Sequence, residues 1–245
     1  MIKVGLSIAT YNEALNISHL LDSISHEIAD TKDVSFEILV VDDNSPDGTA
    51  EIVRKSAKQL KRQNFNVSVL VRQVKDGYGR ACIAGFKQLL DQKVDFVMQM
   101  DADMSHNPIY LPAFIKAAKD GHDFVIASRY IKGGQTPDWP WHRRFLSKYG
   151  NAYTRFFLGR AISDYTGGFN LYSAKLLKSI DLDTIRATGY GFLIELKYRA
   201  KQHANSIQQI AITFNDRQHG QSKIPKSTLI KNFILVPKLR FTKQP

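Results

Sequence analysis

Short apolar runs alternate with amphipathic stretches along the first half of the chain. Runs rich in Val, Ile, Leu and Phe predict strands at Val4–Ala9, Phe36–Val41, Val67–Val71, Val94–Met100 and Phe124–Ala127. The apolar residues between these runs recur at helical spacing, which predicts helices near Ala14–Ile28, Thr49–Gln63, Gly79–Leu90 and Leu111–Asp120. Strands that alternate with helices indicate an α/β fold with a mostly parallel sheet flanked by helices.

Polar loops follow the predicted strands, and open parallel sheets bind ligands beyond the carboxyl ends of their strands. Tyr11 and Glu13 follow the first strand, and the adjacent carboxylates Asp42 and Asp43 follow the second. Two adjacent carboxylates repel each other unless they accept hydrogen bonds, as from a base or ribose, or help to hold a cation. We therefore expect a ligand site at this edge of the sheet.

The fourth predicted strand leads into Asp101, Asp103 and Ser105, and this is the most informative stretch of the sequence. Carboxylates two residues apart at a strand end can face one hard cation. Mg²⁺ or Mn²⁺ held by one or two carboxylates keeps its other positions for water and substrate phosphates. The alternative interpretation is that two acidic residues merely decorate a turn.

The 245 residues carry a formal net charge of +11 and include one cysteine, Cys82. Such a charge favours a polyanionic partner, either nucleic acid or an anionic membrane surface. The sequence has no RNA-recognition signature, zinc-finger spacing or basic zipper, so we expect a membrane surface and no nucleic acid. A lone cysteine excludes an intramolecular disulfide, fits a reducing compartment and is interpreted here as a small buried apolar residue.

Membrane contact is expected to be peripheral. The sequence from Met1 onward lacks the charged and apolar regions of a signal peptide. It also has no run of about 20 apolar residues, so we expect no transmembrane helix. Together with the basic charge, this predicts a protein on the cytoplasmic side of a membrane.

Aromatic residues spaced four apart lie between Trp139 and Arg160. One broad apolar helical face is predicted from Trp141, Phe145, Leu146, Tyr149, Tyr153, Phe156 and Phe157. The basic residues interleaved with it are Arg143, Arg144, Lys148, Arg155 and Arg160. With Trp139 and Trp141 at its start, this is the composition of a helix in a membrane interface. The alternatives are a stripe that packs onto the sheet and a stripe that is partly buried and contacts lipid at one end.

The segment 226–245 repeats this pattern. Its apolar residues are Leu229, Ile230, Phe233, Ile234 and Leu235, and its basic residues are Lys226, Lys231, Lys238, Arg240 and Lys243. We expect Pro237 to end any helix here. A final core-packed helix with a disordered basic tail is the alternative to a membrane-associating segment.

Seven motifs, taken together, are more specific than any one of them. They are TYNEALNI from Thr10, VVDDNSPDGT from Val40, GYGRACIAG from Gly77, QMDADMSHNP from Gln99, ASRYIKGG from Ala127, DYTGGF from Asp164 and NDRQHGQSK from Asn215. This series resembles the family-2 inverting glycosyltransferases with the GT-A fold, and within them the dolichyl- and polyprenyl-phosphate mannose synthases. The resemblance spans about the whole chain.

The resemblance implies a GT-A nucleotide-sugar-binding domain at 1–225, followed by the basic amphipathic segment 226–245. It implies transfer of mannose from GDP-mannose to a polyprenyl or dolichyl phosphate, with Mg²⁺ or Mn²⁺ as cofactor. A membrane-anchoring partner protein is a further possibility. Two alternatives stay open: a related enzyme that uses UDP-glucose or another nucleotide sugar, and a non-catalytic membrane or nucleic-acid binding module on a degenerate transferase fold.

The resemblance also implies roles for individual residues. The predicted donor site comprises Ala9, Tyr11, Glu13, Asp43, Asp101, Ala102 and Asp103. The predicted metal site comprises Asp101, Asp103 and Ser105. The acceptor phosphate is expected at Arg129, one arginine of the pair Arg143 and Arg144, and Ser147. A basic loop over the diphosphates contributes Arg217 and Lys223, so the residues predicted to be catalytic are Asp103, Arg129, Arg217 and Lys223.

The expected chemistry needs placement more than proton transfer. A phosphomonoester has a second pKa near 6, so at neutral pH it is already largely a dianionic nucleophile. Arg129 with Arg143 or Arg144 can grip it through a planar fork and leave one oxygen for in-line attack, which inverts the anomeric centre. For Arg129 alone, a surface ion pair is the alternative. We expect Asp164 to have a structural or sugar-orienting role.

Some positions depart from the family pattern. Ala9 stands where proline is common, Arg80 where a small residue is usual, and Asn170 where a basic residue is frequent. Ser105 stands where a glutamine can assist the metal. The change at Ala9 is expected to leave the backbone unaffected, and the other three bear on the choice of sugar and on acceptor detail.

Overall fold

A computed structural model of the protein describes residues 1–216 and 227–242. In this part of the chain one sheet contains the strands β1 (Ile2–Thr10), β2 (Val34–Asp42), β3 (Phe65–Val71), β4 (Phe96–Asp101), β5 (Phe124–Ser128), β6 (Asn170–Ser173) and β7 (Ile207–Ala211). The helices are α1 (Ile17–Glu27), α2 (Thr49–Leu60), α3 (Tyr78–Asp91), α4 (Leu111–Lys119), α5 (Trp141–Leu158), α6 (Ala174–Lys178), α7 (Tyr190–His203) and α8 (Ser227–Phe241).

The predicted α/β class and mostly parallel sheet are confirmed. The strand order is β3-β2-β1-β4-β6-β5-β7. Among the described residues, β6 pairs antiparallel with β4 and β5, and the other pairings are parallel. The sequence pattern predicted β1 to β5 and missed β6 and β7. Both are short, and β7 has Gln208 and Gln209 at its centre, so neither carries a strong apolar signal.

Helices cover both faces of the sheet, so alternate residues of a strand enter different cores. In β2, Ile38 and Val40 pack with α1 and α4, whereas Leu39 and Val41 pack with α3. This burial on two sides explains the nearly continuous apolar runs of the central strands. Cys82 of α3 is buried in the second core, as the sequence interpretation proposed.

The register of the central strands brings the polar loops together. Thr10 pairs with Asp42 across β1 and β2, and Ala9 pairs with Asp101 across β1 and β4. The three strands are parallel, so the loops that follow them leave the same edge of the sheet. This edge carries the predicted donor and metal residues.

Helix α8 packs on α5 and α7 and continues through Pro237 to Phe241. The prediction that Pro237 ends the helix is therefore wrong. Proline has no N–H for the carbonyl four residues earlier, which here belongs to Phe233. The Tyr153 hydroxyl of α5 donates to that carbonyl at 2.9 Å, and the Tyr153 and Phe233 rings stack with centroids 4.5 Å apart. A tertiary contact thus satisfies the carbonyl that proline leaves unbonded.

The aromatic stripe of α5 is only partly covered. Tyr153 and Phe157 pack with Phe233 and Phe241 of α8. Among the side chains of these two helices whose burial the structure describes, the large apolar ones that are exposed are Trp141, Phe145, Leu146, Tyr149, Phe156, Phe233, Ile234 and Phe241. The alternative that the whole stripe packs onto the sheet is therefore wrong. No helix within 1–216 or 227–242 has the length and apolar content needed to cross a bilayer.

Candidate active site

A cavity of about 420 Å³ opens beyond the carboxyl ends of β1, β2 and β4. This volume is typical of small-molecule sites. Every residue predicted for the donor site lines it, namely Ala9, Tyr11, Glu13, Asp43, Asp101, Ala102 and Asp103. Ser105, Arg129 and Arg143 line the same cavity. The structure therefore assembles the residues predicted for the donor and the metal around one space, together with two of those predicted for the acceptor, Arg129 and Arg143.

The two adjacent carboxylates after β2 have different surroundings. Asp42 is fully buried and accepts hydrogen bonds from the Thr10 hydroxyl at 2.8 Å and from the Ser45 amide and hydroxyl at 2.8 and 2.6 Å. Asp43 lines the cavity and forms an ion pair with Arg72 at 2.8 Å. Burial raises the pKa of Asp43, and Arg72 opposes that change. Asp42 thus braces the loop, and Asp43 faces the ligand space.

The Lys75 ammonium lies 3.3 Å from the centroid of the Tyr11 ring, and both residues line the cavity. A cation over an aromatic face is attracted by the ring quadrupole. On the same side, the Asn16 amide donates to the Glu13 carboxylate at 2.8 Å. These contacts fix the loop after β1 against the turn before α3. They also place a lysine beside the predicted nucleotide residues.

Asp101 is oriented by its neighbours. The Tyr78 hydroxyl donates to its Oδ1 at 2.7 Å, and His106 Nε2 lies 3.7 Å from its Oδ2. The Asp101 amide donates to His106 Nδ1 at 2.9 Å, so a neutral His106 carries its proton on Nε2. Burial lowers the pKa of His106 and favours this neutral form. The sequence interpretation offered the Gly77-Tyr78-Gly79 turn as a source of backbone donors for phosphate, but it gave no role to the side chain of Tyr78 or to His106.

Gly168 allows the chain to approach Asp101 closely. A Cβ atom on Gly168 would lie 2.9 Å from the Tyr78 hydroxyl and 3.3 Å from both carboxylate oxygens of Asp101. Any side chain here would displace the carboxylate or the hydroxyl that orients it. The orientation of Asp101 therefore requires a glycine at position 168.

The Ser105 hydroxyl donates to Asp103 Oδ1 at 2.5 Å, and the Ser105 amide donates to the same oxygen at 3.2 Å. No cluster of three His, Cys, Asp or Glu residues that could hold a metal occurs in the described chain. Two carboxylates with substrate phosphates and water are nevertheless a common environment for Mg²⁺ or Mn²⁺. The donor set of Asp101 and Asp103 fits such an ion, and Ser105 orients Asp103.

Arg129 forms a bidentate ion pair with Asp164. Its Nε and Nη2 donate to the two carboxylate oxygens at 2.7 Å each, and Nη2 also donates to the Thr166 hydroxyl at 2.8 Å. The surface ion pair considered as an alternative is wrong, because Arg129 is 8% exposed and Asp164 is 0% exposed. Arg129 holds the pKa of the Asp164 carboxyl well below its usual range, against the effect of burial.

The structure distinguishes the two adjacent arginines of α5. Arg143 lines the cavity, bonds Asp216 at 3.0 and 3.1 Å, and stacks on the Trp139 ring with its guanidinium carbon 4.1 Å from the centroid. The guanidinium carbon of Arg129 lies 5.2 Å from the same ring. Arg144 is exposed and does not line the cavity. Of the pair, Arg143 is therefore the cavity arginine.

Two further predictions need correction. Ser147 does not line the cavity, and its hydroxyl bonds that of Tyr130 at 2.6 Å, so it does not reach the ligand space directly. Trp139 is 5% exposed and lines the cavity between two arginines, so its predicted place in a membrane interface is wrong. Its burial follows from those cation contacts and from its edge contact with Phe214. Trp141, two residues later, is 76% exposed.

Arg217 and Lys223 lie outside the described residues. The cavity lining also includes residues for which the sequence offered no ligand role. Among them are Lys75, His106, Thr188, Gly189, Tyr190, Phe214, Asp216 and Lys231. Lys231 had been noticed only as part of the basic C-terminal segment, and its place in the cavity depends on how α8 docks against α7.

A nucleotide-sugar transferase of the GT-A class is the kind of enzyme that this sheet and this acidic loop cluster define. The family model for glycosyl transferase family 2 matches residues 6–181. The chain therefore belongs to glycosyl transferase family 2 and is a glycosyltransferase, so the interpretation as a non-catalytic binding module is not upheld.

Curated relatives cover most of the chain. An undecaprenyl-phosphate mannosyltransferase from Micrococcus luteus is 38% identical over 217 residues, which are 89% of this chain and 85% of that protein. A polyprenol monophosphomannose synthase from Mycolicibacterium smegmatis is 38% identical over 91% of this chain and 81% of its own length. A dolichol-phosphate mannosyltransferase from Pyrococcus furiosus is 33% identical over 94% of this chain and 61% of its own length.

Solved structures share the fold. A glucosyl-3-phosphoglycerate synthase from Mycobacterium tuberculosis, in complex with Mn²⁺, UDP-glucose and phosphoglyceric acid, superposes with a TM-score of 0.67 at 20% identity. The match covers 97% of this chain and 78% of that one. The same enzyme with Mg²⁺ and UDP gives a TM-score of 0.67 at 19% identity, over 99% and 81% of the two chains. These comparisons support the GT-A fold.

Proposed function

We propose that the protein transfers mannose from GDP-mannose to a polyprenyl phosphate of the dolichyl type, with inversion and with Mg²⁺ or Mn²⁺. The relatives from Micrococcus luteus and Mycolicibacterium smegmatis are named for mannosyl transfer to such lipids. The observation that carries the proposal is the single cavity in which the carboxylates Asp101 and Asp103 meet the guanidinium groups of Arg129 and Arg143.

The acidic side of the cavity suits the donor. Asp43 and Glu13 offer acceptors for a base or ribose, and Asp101 and Asp103 would hold the divalent cation. When bound, such a cation neutralises charge that develops on the departing nucleoside diphosphate. In this proposal Arg217 and Lys223 add positive charge over the same diphosphate.

The basic side suits a phosphate acceptor. Nε and Nη2 of Arg129 donate to Asp164, and Nη1 of Arg143 donates to Asp216. Nη2 of Arg129 also donates to Thr166, so Arg129 retains Nη1 for a ligand, whereas Arg143 retains the edge formed by Nε and Nη2. Trp139 holds the two guanidinium groups on one ring. Arginines fixed in this way would bind the phosphate dianion and aim one oxygen at the anomeric carbon. No side chain has to remove a proton, because the nucleophile is already ionised near neutral pH.

The lipid part of the acceptor suggests where the protein works. The exposed apolar residues of α5 and α8 lie on neighbouring helices, with exposed basic residues among them: Arg144, Lys148, Arg160, Lys238 and Arg240. Exposed apolar patches with basic residues are typical of membrane-binding surfaces. We propose that this surface rests on an anionic membrane from the cytoplasmic side, and that a membrane-anchoring partner protein is a further candidate for contact there.

Liposome sedimentation tests the membrane surface. We expect wild-type protein to pellet with anionic vesicles and to be released in part by high salt, because each lysine or arginine near the leaflet contributes about 1 kcal/mol. Phe145→Ser should weaken pelleting, whereas Leu15→Ser, at an exposed apolar residue outside the two helices, should not. Equal pelleting of all three proteins would contradict the assigned surface.

A donor and acceptor screen tests the reaction. Purified protein is incubated with Mg²⁺ or Mn²⁺, a short polyprenyl phosphate and GDP-mannose, UDP-glucose or other nucleotide sugars, and the released nucleoside diphosphate is measured. The proposal expects release with GDP-mannose that depends on the lipid phosphate and stops in excess chelator, and a β-linked product from the α-linked donor. Release with UDP-glucose but not with GDP-mannose would show that the donor is UDP-glucose. Full activity in excess chelator would overturn the metal assignment.

A further inference from the structure

Lys197 of α7 lies directly behind the proposed acceptor site. Its side chain is fully buried, and its ammonium donates to the backbone carbonyl of Asp164 at 2.7 Å. The Asp164 carboxylate holds Arg129, and Arg129 lines the cavity. Three charged side chains therefore lead from the core to the ligand space, and Lys197 is the innermost.

The charges of this cluster do not balance when Lys197 is protonated. Arg129 and Asp164 neutralise each other through their bidentate pair. Lys197 bonds a neutral carbonyl, so its charge is left over. A buried charge without a counter-ion is costly, and the group responds by losing its proton more easily. Burial lowers the pKa of Lys197 to about 7, Asp164 raises it in part, and Arg129 lowers it further.

The other ionisable groups of the surrounding core gain or lose a proton less readily than Lys197 near neutral pH. Burial raises the pKa values of Tyr78 and Cys82 on α3, of Tyr165 before β6 and of Tyr172 in β6, so all four stay neutral. His106 feels the charges of both Lys197 and Arg129, and burial keeps it neutral. The basic residues of α6 and α8, which pack on α7, are Lys175, Lys178, Lys231, Lys238 and Arg240, and those of α5 are Arg143, Arg144, Lys148 and Arg155. On α7 itself, Glu195 and Arg199 form a buried ion pair. Asp164 and Arg129 are the charged groups that act on Lys197.

A phosphate at Arg129 changes this balance. Up to two negative charges would then enter a low-dielectric site that holds Arg129 and Asp164 as a neutral pair. The field of the phosphate favours the charged form of a lysine behind that pair. The extra charge that is unfavourable in the empty site then becomes a counter-charge for the ligand.

We propose that Lys197 is a positioning residue that binds the Asp164 loop behind Arg129 and takes up a proton when the acceptor phosphate binds. This inference rests on the proposed function, since it takes the acceptor to be a phosphate held at Arg129. The proton comes from solvent, and no covalent bond changes. When the acceptor site is fully occupied, protonated Lys197 would thus add a third positive charge near the nucleophile, beside those of Arg129 and Arg143.

Calorimetric titration with geranyl phosphate tests the inference on the full chain. Two buffers at about pH 8 with different ionisation enthalpies give the number of protons taken up per ligand bound. At that pH, Lys197 is mostly neutral beforehand, because its pKa is about 7, and the phosphate is a dianion. We expect uptake of a large fraction of one proton by wild-type protein. Lys197→Met should bind more weakly and show little or no uptake.

Two further variants separate charge from structure. Lys197→Arg keeps a permanent charge, so it should bind geranyl phosphate without proton uptake, and it carries the test if the methionine variant does not fold. Lys201→Met removes another α7 lysine, one that donates to the Leu158 carbonyl, and should retain the wild-type uptake. Binding with equal uptake in wild type and the Lys197 variants, or with no uptake in wild type, would overturn this inference alone. Failure of wild type to bind geranyl phosphate would overturn the acceptor assignment and this inference with it.

Discussion

Arg129 and Asp164 are 35 residues apart in sequence and form a buried two-point ion pair at the edge of the cavity. The antiparallel strand β6 makes this contact possible, because it brings the loop that precedes it beside the end of β5. The carboxylate fixes the plane of the guanidinium before any ligand arrives. Arg129 is thus held in one orientation at the edge of the cavity.

Asp164→Asn should destabilise the fold strongly. Removing one partner of a buried ion pair leaves the other charge uncompensated, at a cost of about 3 to 5 kcal/mol in free energy of unfolding. Urea denaturation measures the loss. Asp120→Asn, which removes an exposed pair with Lys116, serves as a control and should have a much smaller effect. Similar midpoints and slopes for the two variants would contradict a buried role for Asp164.

Tyr153→Phe should loosen α8 with little effect on the rest of the fold. The variant keeps the ring that stacks on Phe233 and loses the hydroxyl that bonds the Phe233 carbonyl. We expect a loss of about 1 kcal/mol and faster amide exchange in α8. Adding Pro237→Ala to the same variant should recover stability, because alanine, unlike proline, supplies a backbone N–H for that carbonyl. If Pro237→Ala restores no stability to this variant, the Tyr153 hydroxyl does not compensate for the missing N–H of Pro237.

Lys197 should make stability depend on pH in a predictable direction. Its pKa is about 7 in the folded protein and ordinarily 10.5, so between these values the unfolded chain binds more protons. The free energy of unfolding contributed by this group therefore rises with pH across that window, and the cost of burying the charged form is fully present below about pH 7. Wild type should gain stability relative to Lys197→Met between about pH 7 and pH 9. Parallel stability curves would show that Lys197 does not titrate there.

Asp103→Asn should reduce turnover by about 100-fold or more while the fold stays intact. Several kcal/mol of charge stabilisation depend on the cation that Asp101 and Asp103 would hold, and each 1.4 kcal/mol is a factor of about ten. Steady-state rates measure the effect. Asp42→Asn is an informative companion, because Asp42 bonds Thr10 and Ser45 and does not line the cavity, so it should lower stability more than metal affinity. Activity of Asp103→Asn close to wild type would remove the metal assignment.

That the residues predicted for the donor lie together could be predicted from sequence, because each of them lies at the end of a strand of one sheet or in the loop after it. Asp43, Asp101 and Asp103 follow predicted strands, and parallel strands deliver their carboxyl ends to one edge of the sheet. The sequence could not predict which of Arg143 and Arg144 lines the cavity. Adjacent residues of a helix point about 100° apart, and which one meets the cavity depends on how α5 docks.

The remaining features depend on contacts between distant parts of the chain. The burial of Trp139 follows from the positions of Arg129, Arg143 and Phe214, none of which the helical pattern of α5 reveals. Lys197 lies in α7, a helix buried along most of its length and therefore without a clear apolar stripe. The sequence pattern does not single out a buried lysine inside such a helix. Its role becomes evident only from the structure, in which its ammonium donates to the Asp164 carbonyl.

The acceptor assignment is the central claim, and adjacent arginines provide a matched test of it. Acceptor and donor KM values are measured for wild type, Arg143→Ala and Arg144→Ala with a short polyprenyl phosphate. Loss of a charged hydrogen bond should raise the acceptor KM of Arg143→Ala about 10- to 100-fold, with the GDP-mannose KM little changed. Arg144→Ala should resemble wild type in the same assay. An unchanged acceptor KM for Arg143→Ala, or an equal rise for both variants, would contradict a phosphate site at Arg129 and Arg143.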